Sequence, residues 1–108
     1  SPVGKYIYEQ LQSGTLGKYG NDWGAVRTDY LYEGYQEFCK TIGVRFRTTP
    51  QEFGKQLKGF FPDLVKKRLK INDGYDAGDR KLHYIFPPLE KCREQFEQHM
   101  TMEIEWDE

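Results

Sequence analysis

The sequence contains few of the residues from which metal sites and catalytic sets are built. Its 108 residues include two cysteines, Cys39 and Cys92, and two histidines, His83 and His99. The cysteines do not form a CxxC motif, and the histidines are too few and too far apart for a zinc site. We therefore expect no metal ion, no cofactor and no catalytic residue in this chain, and two reduced thiols in a cytosolic protein.

Long apolar runs and nucleotide-binding motifs are also missing. No stretch approaches the roughly 20 apolar residues that a helix needs to cross a bilayer, so we expect no membrane partner. The motif GxxxxGK[ST] does not occur, and the glycine-rich residues 14–20 follow a predicted helix, whereas a phosphate-binding loop follows a strand. The chain opens on Ser1-Pro2 and enters a helical pattern at once. We expect a non-enzymatic fragment of a longer cytoplasmic protein, from a bacterial host cell or a viral replication site.

Charge is unevenly distributed along a chain whose formal net charge is only −1. Residues 94–108 contain six acidic residues and neither lysine nor arginine. Residues 45–81 contain five acidic residues and ten basic ones, which are Arg45, Arg47, Lys55, Lys58, Lys66, Lys67, Arg68, Lys70, Arg80 and Lys81. Such an asymmetry says more about partners than the net charge does, because a local basic patch attracts phosphate groups whatever the total charge.

Apolar residues recur at helical spacing in the first half of the chain. The first such segment is residues 3–12, with Pro2 suited to a first helical turn and Gly14 suited to the helix end. A second helix is predicted to begin at a Thr28 cap and to end near Gly43. Its apolar stripe consists of Leu31, Tyr32, Tyr35, Phe38, Cys39 and Ile42.

A third helix has the most specific local signal in the sequence. Thr49 and Glu52 have the spacing of a capping box, and Pro50 falls at the first helical position. This helix is predicted to bury Phe53, Leu57, Phe60 and Phe61 and to expose Gln51, Lys55, Gln56 and Lys58. A fourth helix is predicted after Pro87-Pro88, with a packing face of Leu89, Cys92, Phe96 and Met100.

Three segments are predicted to be strands. Residues 44–47 alternate apolar and basic side chains, which indicates a very short strand. Residues 64–71 and 81–86 flank the turn-rich residues 72–79, and this pattern predicts a hairpin with a long tip.

The resulting order is helix, glycine-rich loop, helix, short strand, helix, hairpin, helix. This order predicts an α+β, mostly helical fold, namely a winged helix-turn-helix with a two-stranded wing and extra N- and C-terminal helices. We predict one domain, with an N-terminal helix and loop at 1–27, a winged-helix core at 28–87, and a C-terminal helix and acidic tail at 88–108. Trp23 is expected to anchor the loop on the core, and residues 101–108 are expected to fray, with Trp106 as the candidate for docking.

Several short motifs resemble those of one family. Residues 31–39, LYEGYQEFC, are similar to the L-Y-x-x-Y-x-x-[WFH]-C helix of regulatory-factor-X-like winged helices. Residues 53–57, FGKQL, resemble the F-G-[KR]-x-[LI] of their recognition helix, and residues 67–69 with 81–84 resemble their wing. Within this group the motifs most resemble the C-terminal domain of phage- and poxvirus-type primase-helicases, and the ending at residues 84–96 is similar to the tail of prophage members. The resemblance implies a replication protein whose superfamily 3 helicase motor lies elsewhere.

We predict that basic residues of the third helix and the hairpin contact the DNA backbone. The candidates are Lys55, Lys58, Lys66, Lys67, Arg68, Lys70, Arg80, Lys81 and His83. Phosphate contacts position a protein without reading sequence, and few of these side chains suit bidentate base contacts. The expected binding is therefore non-specific or structure-directed, and it weakens steeply as salt rises. Each candidate has an alternative interpretation as a solvated surface residue, and Tyr75 at the hairpin tip either stacks on DNA or rests on its own hairpin.

Two functions remain open from the sequence. The first is a non-catalytic domain of a phage or prophage replication primase-helicase that binds duplex, single-stranded or forked DNA through its wing and recognition helix. The second is a winged helix that contacts other domains of the same protein, or replication partners, through its aromatic stripes and acidic C-terminal helix. The basic segment and the resemblance favour the first function, whereas the near-neutral net charge and the acidic tail favour the second.

Overall fold

A computed structural model describes residues 1–45, 48–71 and 78–106 of the chain. They form four α-helices and two small antiparallel sheets, which confirms the predicted α+β class. The helices are α1 (Pro2–Ser13), α2 (Thr28–Thr41), α3 (Pro50–Phe60) and α4 (Leu89–Met100). The strands are β1 (Thr15–Leu16), β2 (Asn21–Asp22), β3 (Ala25–Arg27), β4 (Val65–Lys70) and β5 (Arg80–Ile85). The predicted domain boundaries at 27/28 and 87/88 stay a prediction.

The larger sheet contains three antiparallel strands in the order β3-β5-β4. β4 and β5 form the predicted hairpin, in which Val65 lies opposite Ile85 and Lys70 lies opposite Arg80. On the other side of β5, β3 pairs so that Val26 lies opposite Tyr84. β4 is therefore an edge strand of the sheet that the described residues form.

The third strand of this sheet is not the one that the sequence predicted. β3 precedes α2, whereas the short strand was predicted after α2, at residues 44–47. Val44 and Arg45 belong to no strand, and residues 46–47 lie outside the described residues. The N–H of Val44 instead donates to the carbonyl of Cys39 at 2.8 Å, which closes the end of α2. The prediction of a strand at Val44 and Arg45 was wrong because alternation over so few residues does not specify a pairing partner.

Capping groups set the ends of α1 and α3. The Ser1 hydroxyl accepts a hydrogen bond from the N–H of Gly4 at 3.1 Å, and α1 ends at Gly14, whose φ of 72° is left-handed. The Thr49 hydroxyl accepts from the N–H of Glu52 at 3.2 Å, so α3 begins where the capping box predicted.

The start of α2 differs from the prediction by one residue. Thr28 is the first helical residue, and Arg27 occupies the cap position without a side-chain cap hydrogen bond. Asp29 compensates in the first turn, where its carboxylate accepts from the N–H of Tyr30 at 3.0 Å and suits the positive end of the helix dipole. The predicted Thr28 cap was therefore wrong, and Asp29 stabilises the first turn of α2 in its place.

An aromatic cluster joins the first three helices. Phe53 of α3 stacks on Tyr35 of α2 with ring centroids 4.9 Å apart, and it also lies 5.5 Å from Tyr32 and 6.4 Å from Tyr6. The Tyr32 hydroxyl donates to the Thr48 carbonyl at 2.7 Å, and the Tyr35 hydroxyl shares a 2.8 Å hydrogen bond with the Thr48 hydroxyl. These contacts hold the residue that precedes the α3 cap against α2 and so fix how α3 is presented.

Gly34 lies inside α2 at a point where no side chain fits. The Tyr6 hydroxyl donates to the Leu31 carbonyl at 3.2 Å, and this bond holds it against the α2 backbone. A Cβ on Gly34 would overlap the Tyr6 hydroxyl oxygen and lie 3.0 Å from the amide nitrogen of Lys18. The close approach of α1 to α2 therefore requires glycine at this position.

We expect Gly34→Ala to lower the free energy of unfolding by about 1–3 kcal/mol, because overpacking outweighs the gain of about 1 kcal/mol in helix propensity. Urea denaturation followed by circular dichroism measures the change. Gly59→Ala in α3 is the matched control, since no described heavy atom beyond its chain neighbours and its own helix backbone lies within 4 Å of its Cβ position, and it should be neutral or slightly stabilising. A Gly34→Ala chain as stable as the native one would contradict the close packing of Tyr6.

The C-terminal segment docks on the helices. Arg93 of α4 donates from Nε and Nη2 to the Leu11 carbonyl at 3.1 and 2.8 Å, which satisfies a carbonyl in the last turn of α1. The same guanidinium lies 5.2 Å from the ring centroid of Trp106. Ile104 and Trp106 therefore pack against the core, which corrects the prediction of a frayed tail at these two residues, and residues 107–108 lie outside the described residues.

The glycine-rich loop is anchored as predicted. The Trp23 indole donates to the Pro87 carbonyl at 2.9 Å, and its ring lies 5.3 Å from that of Phe86. Within the loop, β1 and β2 form a hairpin of two-residue strands, which the sequence did not predict.

Among the described helices, none combines the length and apolar character that crossing a membrane requires.

Candidate nucleic-acid interface

The β4–β5 hairpin divides its basic residues between two faces. Side chains alternate along a strand, and residues directly opposite each other share a face. Lys66 lies opposite Tyr84, and Lys67 lies opposite His83. The Tyr84 face, named for that residue, carries four basic residues, which are Lys66, Arg68, Lys70 and Arg80. The opposite side, the His83 face, carries Lys67 and Lys81 together with His83.

The packing of Tyr84 places the Tyr84 face of the hairpin next to α3. Its buried ring lies 6.2 Å from that of Phe86, and burial raises the pKa of its hydroxyl. That hydroxyl lies 3.1 Å from the Cβ position of Gly54, so α3 packs closely on the hairpin because Gly54 has no side chain. The Lys66 ammonium lies 5.6 Å from the Tyr84 ring centroid. The basic residues of the Tyr84 face therefore begin beside α3 and continue along the hairpin.

A groove of about 560 Å³ separates α3 from β4. Three of the predicted contact residues, Lys55, Lys58 and Lys66, line this α3–β4 groove. Lys58 Nζ donates to the Leu64 carbonyl at 2.7 Å, which ties the end of α3 to the start of β4 and fixes this ammonium at the groove wall. Gln51 also lines the groove. The sequence predicted Gln51 to be exposed but assigned it no role, although a side-chain amide can both donate and accept.

The His83 face continues onto β3, which pairs with β5. His83 is half-buried, and its Nδ1 lies 2.7 Å from the Lys81 carbonyl of its own strand. Arg27 of β3 lies opposite His83, but its Nε and Nη2 donate to the two carboxylate oxygens of Asp29 at 3.0 and 2.7 Å. These hydrogen bonds lower the pKa of Asp29. The Arg27 charge is therefore balanced locally, which leaves Lys67 and Lys81 as the available cations of this face.

The predicted contact residues have no neutralising partner within the described part of the chain. In residues 1–45, 48–71 and 78–106, the ion pairs are Lys18–Glu37, Arg27–Asp29 and Lys91–Asp63. None of these pairs involves a predicted contact residue. The four basic side chains of the Tyr84 face are exposed. Exposed, uncompensated cations attract a polyanion and release its counterions on binding.

Some sequence candidates fall elsewhere. Tyr75 lies in residues 72–77 and Arg47 in residues 46–47, both outside the described residues, and exposed Arg45 lies in the connection between α2 and α3. The structure brings one set together along α3 and the Tyr84 face, namely Lys55, Lys58, Lys66, Arg68, Lys70 and Arg80. It separates Lys67, Lys81 and His83, which lie on the other face of the hairpin.

The glycine-rich loop uses its N–H groups internally. The N–H of Gly17 donates to the Gln10 side chain at 2.6 Å, and that of Gly20 donates to the Gly17 carbonyl at 3.2 Å. The N–H of Lys18 donates to the Tyr30 carbonyl at 3.4 Å. A phosphate cradle needs such groups to point at the ligand. These three N–H groups are therefore engaged within the fold and do not form such a cradle.

The thiols are placed for packing. Cys39 and Cys92 are free and fully buried. Cys92 Sγ donates to the Pro87 carbonyl at 3.3 Å, and burial raises the pKa of this thiol to about 12. A thiol with so high a pKa is a poor nucleophile at neutral pH. Within the described ranges, no three His, Cys, Asp or Glu side chains are grouped so that they could hold a metal ion.

Comparison with known proteins identifies a family. The family model described as poxvirus D5 protein-like matches residues 6–89. This range runs from α1 through the hairpin to the first residue of α4, and it contains every predicted contact residue. No curated protein and no solved structure matches the chain. Because the family model covers more than half of the sequence, the chain belongs to the poxvirus D5 protein-like family.

Proposed function

We propose that this chain is a non-catalytic winged-helix domain that binds the DNA backbone within a viral or prophage replication primase-helicase. The observation that carries this proposal is the Tyr84 face, on which four exposed basic residues continue from α3 without a described carboxylate partner. Membership of the poxvirus D5 protein-like family supports the replication setting. The motifs that resemble those of primase-helicases support it independently.

The order of the elements supports the winged-helix assignment. α1, the β1–β2 hairpin, β3, α2, α3 and the β4–β5 hairpin follow one another along the chain, and β3 adds a third strand to the wing by pairing with β5. In helix-turn-helix proteins the second helix of the pair lies in the major groove while neighbouring elements contact the backbone. In this assignment α3 is the recognition helix, the hairpin is the wing, and the α3–β4 groove lies between them.

The distribution of charge suggests which DNA the wing suits. Lys67 and Lys81 lie on the His83 face, so the wing has cations on both sides. A flat contact with one phosphate strand would use one face only. A wing set into a groove or between the arms of a fork has phosphates on both sides. We take forked DNA as the ligand in this proposal because it offers both a duplex groove and two arms, and we expect no base readout because the contacts are to phosphate.

The same lysines have a second physical explanation. An edge strand such as β4 exposes unpaired backbone groups, and lysine side chains on it prevent pairing with the edge of another molecule. Under this alternative, the basic residues maintain solubility and contact no DNA. DNA affinity and its salt dependence distinguish the two explanations.

We expect fluorescence anisotropy to detect micromolar binding to labelled forked DNA at low salt, with weaker binding to duplex and to single strands. If four phosphates are contacted, the affinity for duplex should fall about 150-fold between about 50 and 200 mM salt, since each contact contributes a slope of about −0.9. A poly-glutamate competitor is the control for simple ion exchange and should not displace the DNA at equal charge concentration. Absence of binding to all three DNAs at the lower salt would refute the proposal.

A further inference from the structure

A second groove, of about 830 Å³, is formed by other parts of the fold. It lies between α1, the ends of α2, α3 and α4, and the C-terminal segment, and none of the predicted DNA-contact residues lines it. Phe38, Phe60 and Phe96 contribute its aromatic surface, with Phe60 and Phe96 stacked at 5.4 Å and Phe60 4.4 Å from the His99 ring. We call this cavity the α1–α4 groove.

Exposed apolar side chains are concentrated along this groove. Tyr8, Ile42, Met100 and Met102 line it, with 40, 40, 45 and 52% of their surface exposed. Among the described residues, the other exposed large apolar side chains are Tyr19 and Val65. Met100 was predicted to pack in the core, and that prediction was wrong because the residue lies at the last turn of α4, beyond the buried stripe. Clustered exposed apolar surface marks an interaction site.

The wall formed by the C-terminal segment is held in place. The N–H of Ile104 donates to one carboxylate oxygen of Glu97 at 2.9 Å, and the Trp106 indole donates to the other at 3.5 Å. The Trp106 ring also lies 5.8 Å from that of Tyr8 and 6.2 Å from that of Phe96. The groove is therefore preformed, which reduces the ordering penalty that a ligand must overcome.

The rim of the groove is acidic. Three carboxylates, from Glu9, Glu103 and Glu105, line it with the side-chain ammonium of Lys5. An adjoining depression shares Met102 and Glu103 and adds the carboxylates of Glu94 and Glu97. This charge repels phosphate and attracts cationic side chains.

We propose that the α1–α4 groove is a docking site for a basic amphipathic helix of a partner protein. Apolar residues at positions i, i+3 or i+4, and i+7 of that helix would contact the phenylalanines, and its lysines or arginines would face the glutamates of the rim. Methionines at the rim suit such a helix because their flexible thioethers adapt to different side chains. This site is separate from the wing in both position and charge, so the chain would hold DNA and protein on different surfaces.

The test uses two labelled helical peptides with the same leucine stripe, one with lysine and one with glutamate at the remaining positions. We expect the lysine peptide to bind the chain with a micromolar Kd and the glutamate peptide to bind at least about tenfold more weakly at low salt. Equal binding of both peptides, or binding of neither, would overturn the proposal.

Variants locate the binding surface. Ile42→Lys and Met100→Lys should each weaken the lysine peptide about tenfold, whereas Tyr19→Lys, an exposed apolar residue outside the groove, should not. Glu103→Lys should weaken the same peptide, and Glu90→Lys, an exposed α4 residue outside the lining, should have little effect. Thermal melts verify that each variant is folded. Unchanged peptide affinity in both Ile42→Lys and Met100→Lys would refute this location. A native chain that forms a dimer which Ile42→Lys dissociates would also refute the proposal, because a second copy of the chain would then occupy the groove.

Discussion

Lys66→Gln, Arg68→Gln and Lys70→Gln together are expected to weaken DNA binding by two to three orders of magnitude at about 0.1 M salt. Each phosphate contact contributes a factor of about 8 relative to 1 M salt, so three contacts contribute about 500-fold. The three side chains share the Tyr84 face and are exposed, so glutamine removes their charge without disturbing the core. Anisotropy titrations over a range of salt should also show a slope that is smaller by about 2.7.

A matched triple variant separates the hairpin from the net charge. Lys5→Gln, Lys40→Gln and Lys91→Gln remove the same charge from exposed lysines outside the hairpin, and we expect at most about a twofold effect because distant charges are screened. Equal losses in the two triple variants would mean that total charge, and not the Tyr84 face, determines affinity. If the hairpin triple variant binds DNA normally but self-associates, its lysines protect the edge of β4 and do not contact DNA.

The His83 face tests how the wing meets DNA. Lys67→Gln with Lys81→Gln removes the two cations of that face and leaves the Tyr84 face intact. If the wing lies between two phosphate strands, this double variant should lose about 60-fold in affinity for a fork at about 0.1 M salt. An unchanged affinity would mean that the wing lies flat on one strand.

Helices and strands whose ends are determined by residues close in sequence were predicted correctly from capping and turn motifs. The capping box of Thr49 and Glu52 places the start of α3 correctly, because the bond that caps the helix joins residues three apart. The hairpin was predicted at residues 64–71 and 81–86 and is observed within one residue of these bounds, because turn residues separate two alternating segments.

Elements that depend on distant partners could not be predicted in this way. β3 is three residues long and becomes a strand because Val26 pairs with Tyr84, which is far away in sequence. Trp106 docks through Arg93, Tyr8 and Phe96, which lie on two helices, so no local pattern indicates its position. Non-local packing decides both cases, and a single sequence contains no direct record of it.

The sequence predicted which residues form the candidate site, but it did not predict how those residues are arranged in space. Alternation alone implies that Lys67 and Arg68 occupy opposite faces of a strand. Which face adjoins α3 depends on the contact between the Tyr84 hydroxyl and Gly54, and this contact requires the folded structure. The same holds for Gln51, whose place in the α3–β4 groove depends on the packing of α3 against the hairpin.

Phe53→Ala is expected to lower the free energy of unfolding by about 3–5 kcal/mol. Phe53 is 1% exposed and contacts three tyrosine rings, so its removal leaves a cavity bounded by side chains that are themselves hydrogen-bonded in place. For a domain whose total stability is expected to be about 5–15 kcal/mol, this loss would leave little margin. Urea denaturation followed by tryptophan fluorescence and by circular dichroism measures the change.

Phe53→Leu is the matched control, since it retains most of the apolar volume and should cost less than half as much as the alanine variant. The effect of this variant on DNA binding depends on α3, because Phe53 precedes Gly54 and anchors the turn of α3 that faces the hairpin. In conditions where Phe53→Ala remains folded, the contacts of the Tyr84 face should persist, and a loss of DNA affinity should come from Lys55 and Lys58 of the loosened α3. A Phe53→Ala variant that is fully stable would mean that the aromatic cluster does not hold α3, and the α3–β4 groove would then need another source of rigidity.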